Sequence, residues 1–240
     1  MSHATNRVDG FRRFSRVDKE AWSSLPLRVA RVPMPSVRPV RRGYGVAKRI
    51  MDLAICLAIL PIALPLMAVS AALIWLEDRG PVLFRQMRTG KAGRRFAMLK
   101  FRTMVLNAEE LKEKYAHLNQ LTWPDFKIAD DPRVTGIGKL LRKTSLDELP
   151  QLLNVIRGEM SLVGPRPTSF DVSTYKLWHA ERLEVLPGIT GLWQISGRSD
   201  VDFDERLRLD VEYITRRSLW LDVRILAATV TAVVHSEGAY

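Results

Sequence analysis

The chain has 240 residues, 47% of them apolar, which is enough for one or two domains with a sizeable core. Its formal net charge of +11 is unevenly placed: residues 1–49 hold twelve Lys/Arg against three Asp/Glu, and the remaining 191 hold twenty-five against twenty-three. The one cysteine, Cys56, excludes an intrachain disulfide, and no cysteine–histidine spacing suits zinc, so the soluble part reads as cytoplasmic.

Residues 1–45 are rich in Arg, Ser and Pro and read as a basic arm with little fixed structure. No apolar stretch follows within the length of a secretory signal. Such an arm suits anionic lipid or nucleic acid. The next segment, residues 46–79, contains "LAICLAILPIALPLMAVSAALIWL", 24 uncharged residues, long enough for a membrane helix. Pro61 and Pro65 lie near its middle, and each removes a helix hydrogen bond and crowds the preceding turn. Both flanks are basic, with Lys48 and Arg49 before and Arg79, Arg85 and Arg88 after. Basic flanks stay on the cytoplasmic side, so the pattern favours a re-entrant helix hairpin bent at Pro61 and Pro65 over a straight span or a buried core helix.

From residue 80 to 240 the chain reads as a soluble body. Strands are expected at 81–86 and 95–104 around the turn "RTGKAGR". Leu111, Tyr115 and Leu118 predict an amphipathic helix over 107–121. A turn at Asp131-Pro132 leads into a short helix. The stretch 146–158 reads as a helix ending at Gly158, with Leu149, Leu152, Leu153 and Ile156 on one face. Residues 186–200 are turn-rich, 202–217 form an amphipathic helix, and 218–234 close the chain in the core or in a membrane interface with Trp220 at headgroup depth. The expected class is α/β: mainly helical, with a small sheet, interfacial amphipathic helices and a membrane hairpin.

The chemistry centres on "KTSLDELPQLLNVIRGEMSLVGPRP", residues 143–167, where Asp147 and Glu148 stand side by side. Ser145-Leu146-Asp147-Glu148 matches the capping-box pattern, in which Ser145 caps the helix and Glu148 reaches back. That reading does not explain Lys100, Arg102, Arg142, Lys143 and Arg166, or why Arg166 stands between two prolines. A phosphate site needs such cations, because the Arg fork matches phosphate oxygens. A diphosphate beside a carboxylate also calls for a divalent ion held by one or two carboxylates plus phosphate oxygens. An aspartate in that setting can attack phosphorus. The pair therefore reads as a cap, a metal-ligand set or a nucleophile. The four histidines lie far from these motifs in sequence, and there is no P-loop or dinucleotide fingerprint.

Three runs, "FRQMRTGKAGRRFAMLKFRTM", "DDPRVTGIGKLLRKTSLDELPQLLNVIRGEMSLVGPRP" and "PGITGLWQISGR", closely resemble the bacterial sugar transferases, the monotopic polyprenyl-phosphate phosphoglycosyl transferases. The resemblance runs from about Lys48 to Thr231 and is most similar to exopolysaccharide-type members that handle hexoses. It implies transfer of a sugar-1-phosphate from a UDP-sugar to polyprenyl (undecaprenyl) phosphate with release of UMP, with Mg2+, at the cytoplasmic face of the inner membrane. It places the nucleophile and metal contact on Asp147 and its partner on Glu148. Substrate-binding cations fall on Lys100, Arg142, Arg166 and, from the Gly-Arg motif, Arg198. Family members often break the membrane helix at Ser-Pro; here the matching pair is Leu64-Pro65, with Pro61 one turn earlier.

The expected function is the first membrane step of surface-glycan assembly, on UDP-glucose or UDP-galactose ahead of N-acetylated sugars. The basic arm is expected to rest on anionic lipid, without nucleic acid as a partner. Rival readings are a non-catalytic basic membrane protein and a metal-dependent phosphohydrolase. The sequence leaves the oligomeric state open, a homo-oligomer included.

Overall fold

The computed structural model describes residues 43–120, 128–169, 177–196 and 203–234, all within one compact unit spanning Val37–Tyr240. The expected arm at 1–45 lies almost wholly outside the described residues. Helix α1 (Tyr44–Asp78) has 35 residues, ~52 Å at the usual rise per residue. It is the one described helix long and apolar enough to cross a membrane. It starts and stops within two residues of the expected segment and stays helical through Pro61 and Pro65, not split into two helices. Asp52, Cys56, Ala63, Ser70 and Ile74 recur at helical spacing and form its buried stripe. Leu57, Ile59, Ile62, Leu64, Leu66 and Val69 stay exposed.

Both ends of α1 are tied to the same body. Near its start, Lys48 Nζ and Tyr44 Oη lie 3.1 and 3.0 Å from Asp222 Oδ2. The Arg49 guanidinium donates to the Val155 and Ile156 carbonyls, the orphan acceptors at a helix C-terminus. Near its end, Asp78 pairs with Arg102, and Glu77 Oε1 accepts from the Ile137 amide at 3.2 Å.

Strands β1 (Leu83–Thr89) and β2 (Arg95–Phe101) form the expected hairpin, antiparallel with Leu83 opposite Phe101. Alternation turns Phe96 and Met98 into the core. The next helix is shorter than expected: α2 covers Glu110–Lys114, a 3-10 turn follows at Ala116–Leu118, and Leu118 is exposed. Leu111 and Tyr115 are only half-buried, and tertiary burial sustains most helices.

Helix α3 (Gly136–Lys143) is capped by Thr135, whose hydroxyl accepts from the Gly138 amide at 3.0 Å. Residues 146–158 do not form one helix. A 3-10 turn at Leu146–Glu148 is followed by α4 (Gln151–Arg157), with Pro150 at the junction and Gly158, φ 80°, closing α4 as expected. Strands β3 (Ser161–Val163) and β4 (Gly188–Thr190) pair in parallel. A 3-10 helix (Leu177–Glu184), a short α5 (Leu192–Ile195), α6 (Phe203–Arg216) and α7 (Leu219–Val234) complete the described chain. The segment expected to be turn-rich thus also contributes a strand and a helical turn.

One apolar cluster joins Cys56, Phe96, Met98, Leu152, Val155, Met160, Val163, Tyr213 and Ile225; a second joins Ile74, Phe101 and Leu141. Helix α1 supplies both. Helix α7 buries Ile225 but exposes Trp220, Val223, Val230 and Val233, so the core uses one face of it.

Candidate active site

Lys100 continues the inward row of Phe96 and Met98 along β2, and that parity carries its ammonium to the 3-10 turn. There Lys100 Nζ lies 2.7 Å from Glu148 Oε1. Arg166 Nη2, arriving from beyond β3, donates to the same oxygen at 2.8 Å. Two of the expected cations thus converge on one carboxylate. Burial alone would raise the Glu148 pKa, but the Arg166 and Lys100 charges and hydrogen bonds outweigh it and hold the carboxyl well below its ordinary range.

This rules against the capping-box alternative. Ser145 sits in the left-handed region at φ 57°, caps nothing with its side chain, and Glu148 does not reach back. An N-cap residue takes extended backbone. Two charge-assisted bonds at about 1.5–3 kcal/mol each outweigh a cap of about 1 kcal/mol.

Asp147 is in the opposite state. Its carboxylate accepts no hydrogen bond from the described residues, and its pKa is raised by burial, against Lys100, with Glu148 adding like-charge repulsion. Arg142 and Arg166 act on it through space as further positive charges. Arg142 is aimed by Thr103, whose hydroxyl accepts from Arg142 Nε at 2.9 Å. Burial lowers the Arg142 pKa, with the charges of Asp147 and Asp131 opposing. So Lys100, Arg142 and Arg166 gather around the dyad, while Arg198 lies outside the described residues. Pro61 and Pro65 lie within α1, away from this cluster in sequence.

Three supporting residues were not singled out from the sequence. Thr103 fixes Arg142. Asp131 pairs with Arg133 through bonds of 2.6–3.2 Å, both side chains being buried. Asn154, fully buried, clamps α4 to the edge of β2: its Oδ1 accepts from the Leu99 amide at 3.0 Å and its Nδ2 donates to the Ala97 carbonyl at 2.9 Å. A polar residue inside an otherwise apolar helical stretch was the available signal.

Among the described residues no group of three or more His, Cys, Asp or Glu could hold a metal. The free Asp147 carboxylate with cations around it suits an ion shared with phosphate oxygens rather than one caged by protein.

Fold and site together define a body tied to one long apolar helix, with a carboxylate dyad inside a bracket of fixed cations. A family model described as bacterial sugar transferase matches residues 43–236, and the chain belongs to that family. It is 50% identical over 165 residues to a galactosyl transferase CpsE of Streptococcus agalactiae, covering 68% of this chain and 37% of that protein. It is 44% identical over 208 residues to an undecaprenyl-phosphate galactose phosphotransferase of Salmonella typhimurium, covering 83% and 43%. It is 42% identical over 210 residues to exopolysaccharide production protein ExoY of Rhizobium meliloti, covering 85% and 92%. The chain spans 37–43% of the length of the first two of these relatives and nearly all of the ExoY protein.

Proposed function

We propose that this chain transfers a hexose-1-phosphate from a UDP-sugar to polyprenyl phosphate, with release of UMP, through a covalent aspartyl phosphosugar on Asp147. The observation that carries the reading is the opposed state of the two neighbouring carboxylates. Glu148 is ionised and occupied by Lys100 and Arg166. Asp147 accepts no hydrogen bond from the described residues and has a raised proton affinity beside the same cations, which suits a nucleophile. The names of relatives support the substrates: one is a galactose phosphotransferase, another a UDP-glucose:undecaprenyl-phosphate glucose-1-phosphate transferase.

In the first step an Asp147 carboxylate oxygen attacks the sugar-bearing phosphorus. The bond from that phosphorus to the UMP oxygen breaks, and UMP leaves with the electron pair. In the second, a polyprenyl-phosphate oxygen attacks the same phosphorus and frees Asp147. Lys100, Arg142 and Arg166 offset charge on the phosphoryl oxygens. Asp147 would hold Mg2+, which when bound neutralises diphosphate charge.

The exposed apolar side chains of α1 are the membrane contact in this reading. Its two ends, both bonded to one body, support a helix that enters and returns to the cytoplasmic face of the bacterial inner membrane. The basic arm rests on anionic lipid, and α7 lies in the interface.

Intact-protein mass spectrometry with UDP-galactose or UDP-glucose and no acceptor is the test. A gain of one hexose phosphate on the peptide holding Asp147 is expected, together with UMP release. A folded Asp147→Asn variant should lose nearly all transfer and form no adduct. An adduct elsewhere, or full activity of Asp147→Asn, overturns the assignment.

A further inference from the structure

The segment from Pro165 to Thr168 is held carbonyl by carbonyl. Pro165 O accepts from the Gly188 amide at 2.9 Å, Pro167 O from Arg88 Nη1 at 3.3 Å, and Thr168 O from the Thr89 amide at 2.9 Å. The Arg166 carbonyl is held differently. It accepts from Nη2 of Arg182 at 2.6 Å, and the same nitrogen lies 2.6 Å from Asp210 Oδ2. Arg182 comes from the 3-10 helix before β4 and Asp210 from α6, and both side chains are almost fully buried, at 7% and 2% exposure.

A buried ion pair is a poor device for stability, since desolvation offsets much of the attraction and an apolar pair often serves as well. Here one Asp210 oxygen, Oδ1, is left without a partner among the described residues. Burial also pushes the Asp210 carboxyl up to about 6, against the Arg182 charge. The pair is therefore retained at a cost. What it does in the structure is specific: it ends on the backbone of the residue whose side chain reaches Glu148. Proline on either side limits the backbone of Arg166, and the bond from Arg182 ties down its carbonyl.

We propose that Arg182, held in place by Asp210, is a positioning residue that aims Arg166 at the dyad and at the donor's diphosphate. The inference rests on the reading of Arg166 as a phosphate-binding side chain. Arg182 touches neither the dyad nor the reacting atoms and acts through Arg166 alone.

A double-mutant cycle on the full chain in the membrane tests this, with UMP release as readout, melting temperature measured for every variant, and Arg166→Met as the second background. Displacement of a group by ~1 Å can cost about a hundredfold. In the native background Arg182→Met is expected to lower kcat/KM for the UDP-sugar by about tenfold to a hundredfold. In the Arg166→Met background the same change should cost less than about twofold, because the side chain it aims is gone. Arg182→Lys, which keeps a donor for the carbonyl, should retain more activity than Arg182→Met and carries the cycle if the methionine variant does not fold. Equal fold-losses in both backgrounds, or losses that track melting temperature, overturn the positioning role. Normal activity of Arg166→Met alone overturns the phosphate reading, and the positioning role with it.

Discussion

Glu148 and Asp147 are adjacent in the chain and opposite in electrostatic state, and each predicts its own experiment. The Glu148 carboxyl is held low in the folded protein, so its contribution is full above the ordinary value of 4.5 and is lost as pH falls through the folded pKa. Glu148→Gln should therefore destabilise the detergent-solubilised protein by about 1–3 kcal/mol near neutrality. The gap to the native protein should narrow well below that ordinary value. Chemical melts at the two conditions check it; a gap that widens in acid would contradict the pairing with Lys100 and Arg166. Arg166 reaches the dyad through Nη2, and Arg166→Ala should lower kcat/KM by roughly 10–150-fold, the worth of one charge-assisted phosphate contact. Arg166→Lys should restore only part, since lysine lacks the fork. At this scale the sequence displayed the participants but not which partner Glu148 takes. Ser145 and Glu148 have the spacing of a cap, yet the glutamate's choice depends on Lys100 and Arg166, which are 48 and 18 positions away.

Helix α3 shows how an element's position decides what its residues can do. Gly138 packs on the backbone after β2: a Cβ there would clash with the Thr103 carbonyl oxygen. Alanine favours a helix by about 1 kcal/mol over glycine, and sequence reasoning would rate the change as stabilising. The backbone clash wins, at roughly 1–3 kcal/mol, and it pushes away the helix that holds Arg142 against Thr103. Gly138→Ala should lower both melting temperature and kcat/KM; a stabilised, fully active variant would show that α3 does not dock this closely. Helix α1 raises the same question for topology. In a Cys56→Ser background, cysteines at Ser36, outside the described residues, and at Lys139, exposed on α3, should both resist an impermeant thiol reagent until the inner membrane is opened. Periplasmic labelling of Ser36→Cys alone would mean a straight crossing. Replacing Pro61 and Pro65 with leucine should favour that crossing and reduce transfer, because each proline removes a backbone bond that a straight helix would keep.

Across the whole chain the basic surplus is concentrated rather than spread. The surplus of basic residues sits in the first 49 positions, while the rest is nearly balanced. Exposed apolar side chains instead line α1 and one face of α7. Each Lys or Arg near an anionic leaflet is worth about 1 kcal/mol, and salt screens it. Removing residues 1–42 should therefore weaken binding to vesicles rich in anionic lipid and flatten its salt dependence. Insertion through α1, measured by resistance to carbonate extraction, should persist. Unchanged salt dependence would remove the arm from the membrane contact.

The sequence by itself determined what local pattern can determine. An uncharged run placed α1, short strand-like runs around a glycine turn placed β1 and β2, an amphipathic pattern placed α6, and the motif around Asp147 drew attention to the dyad. These signals are carried by neighbours within a turn or a strand, so they survive without the rest of the fold. Tertiary structure alone decided which carboxylate the cations occupy, that α1 stays helical through both prolines with each end bonded to the body, and that Asn154 locks α4 to β2. Those outcomes rest on charges and hydrogen-bonding groups brought together from distant positions. Their strength depends on burial and distance, which the order of residues does not state.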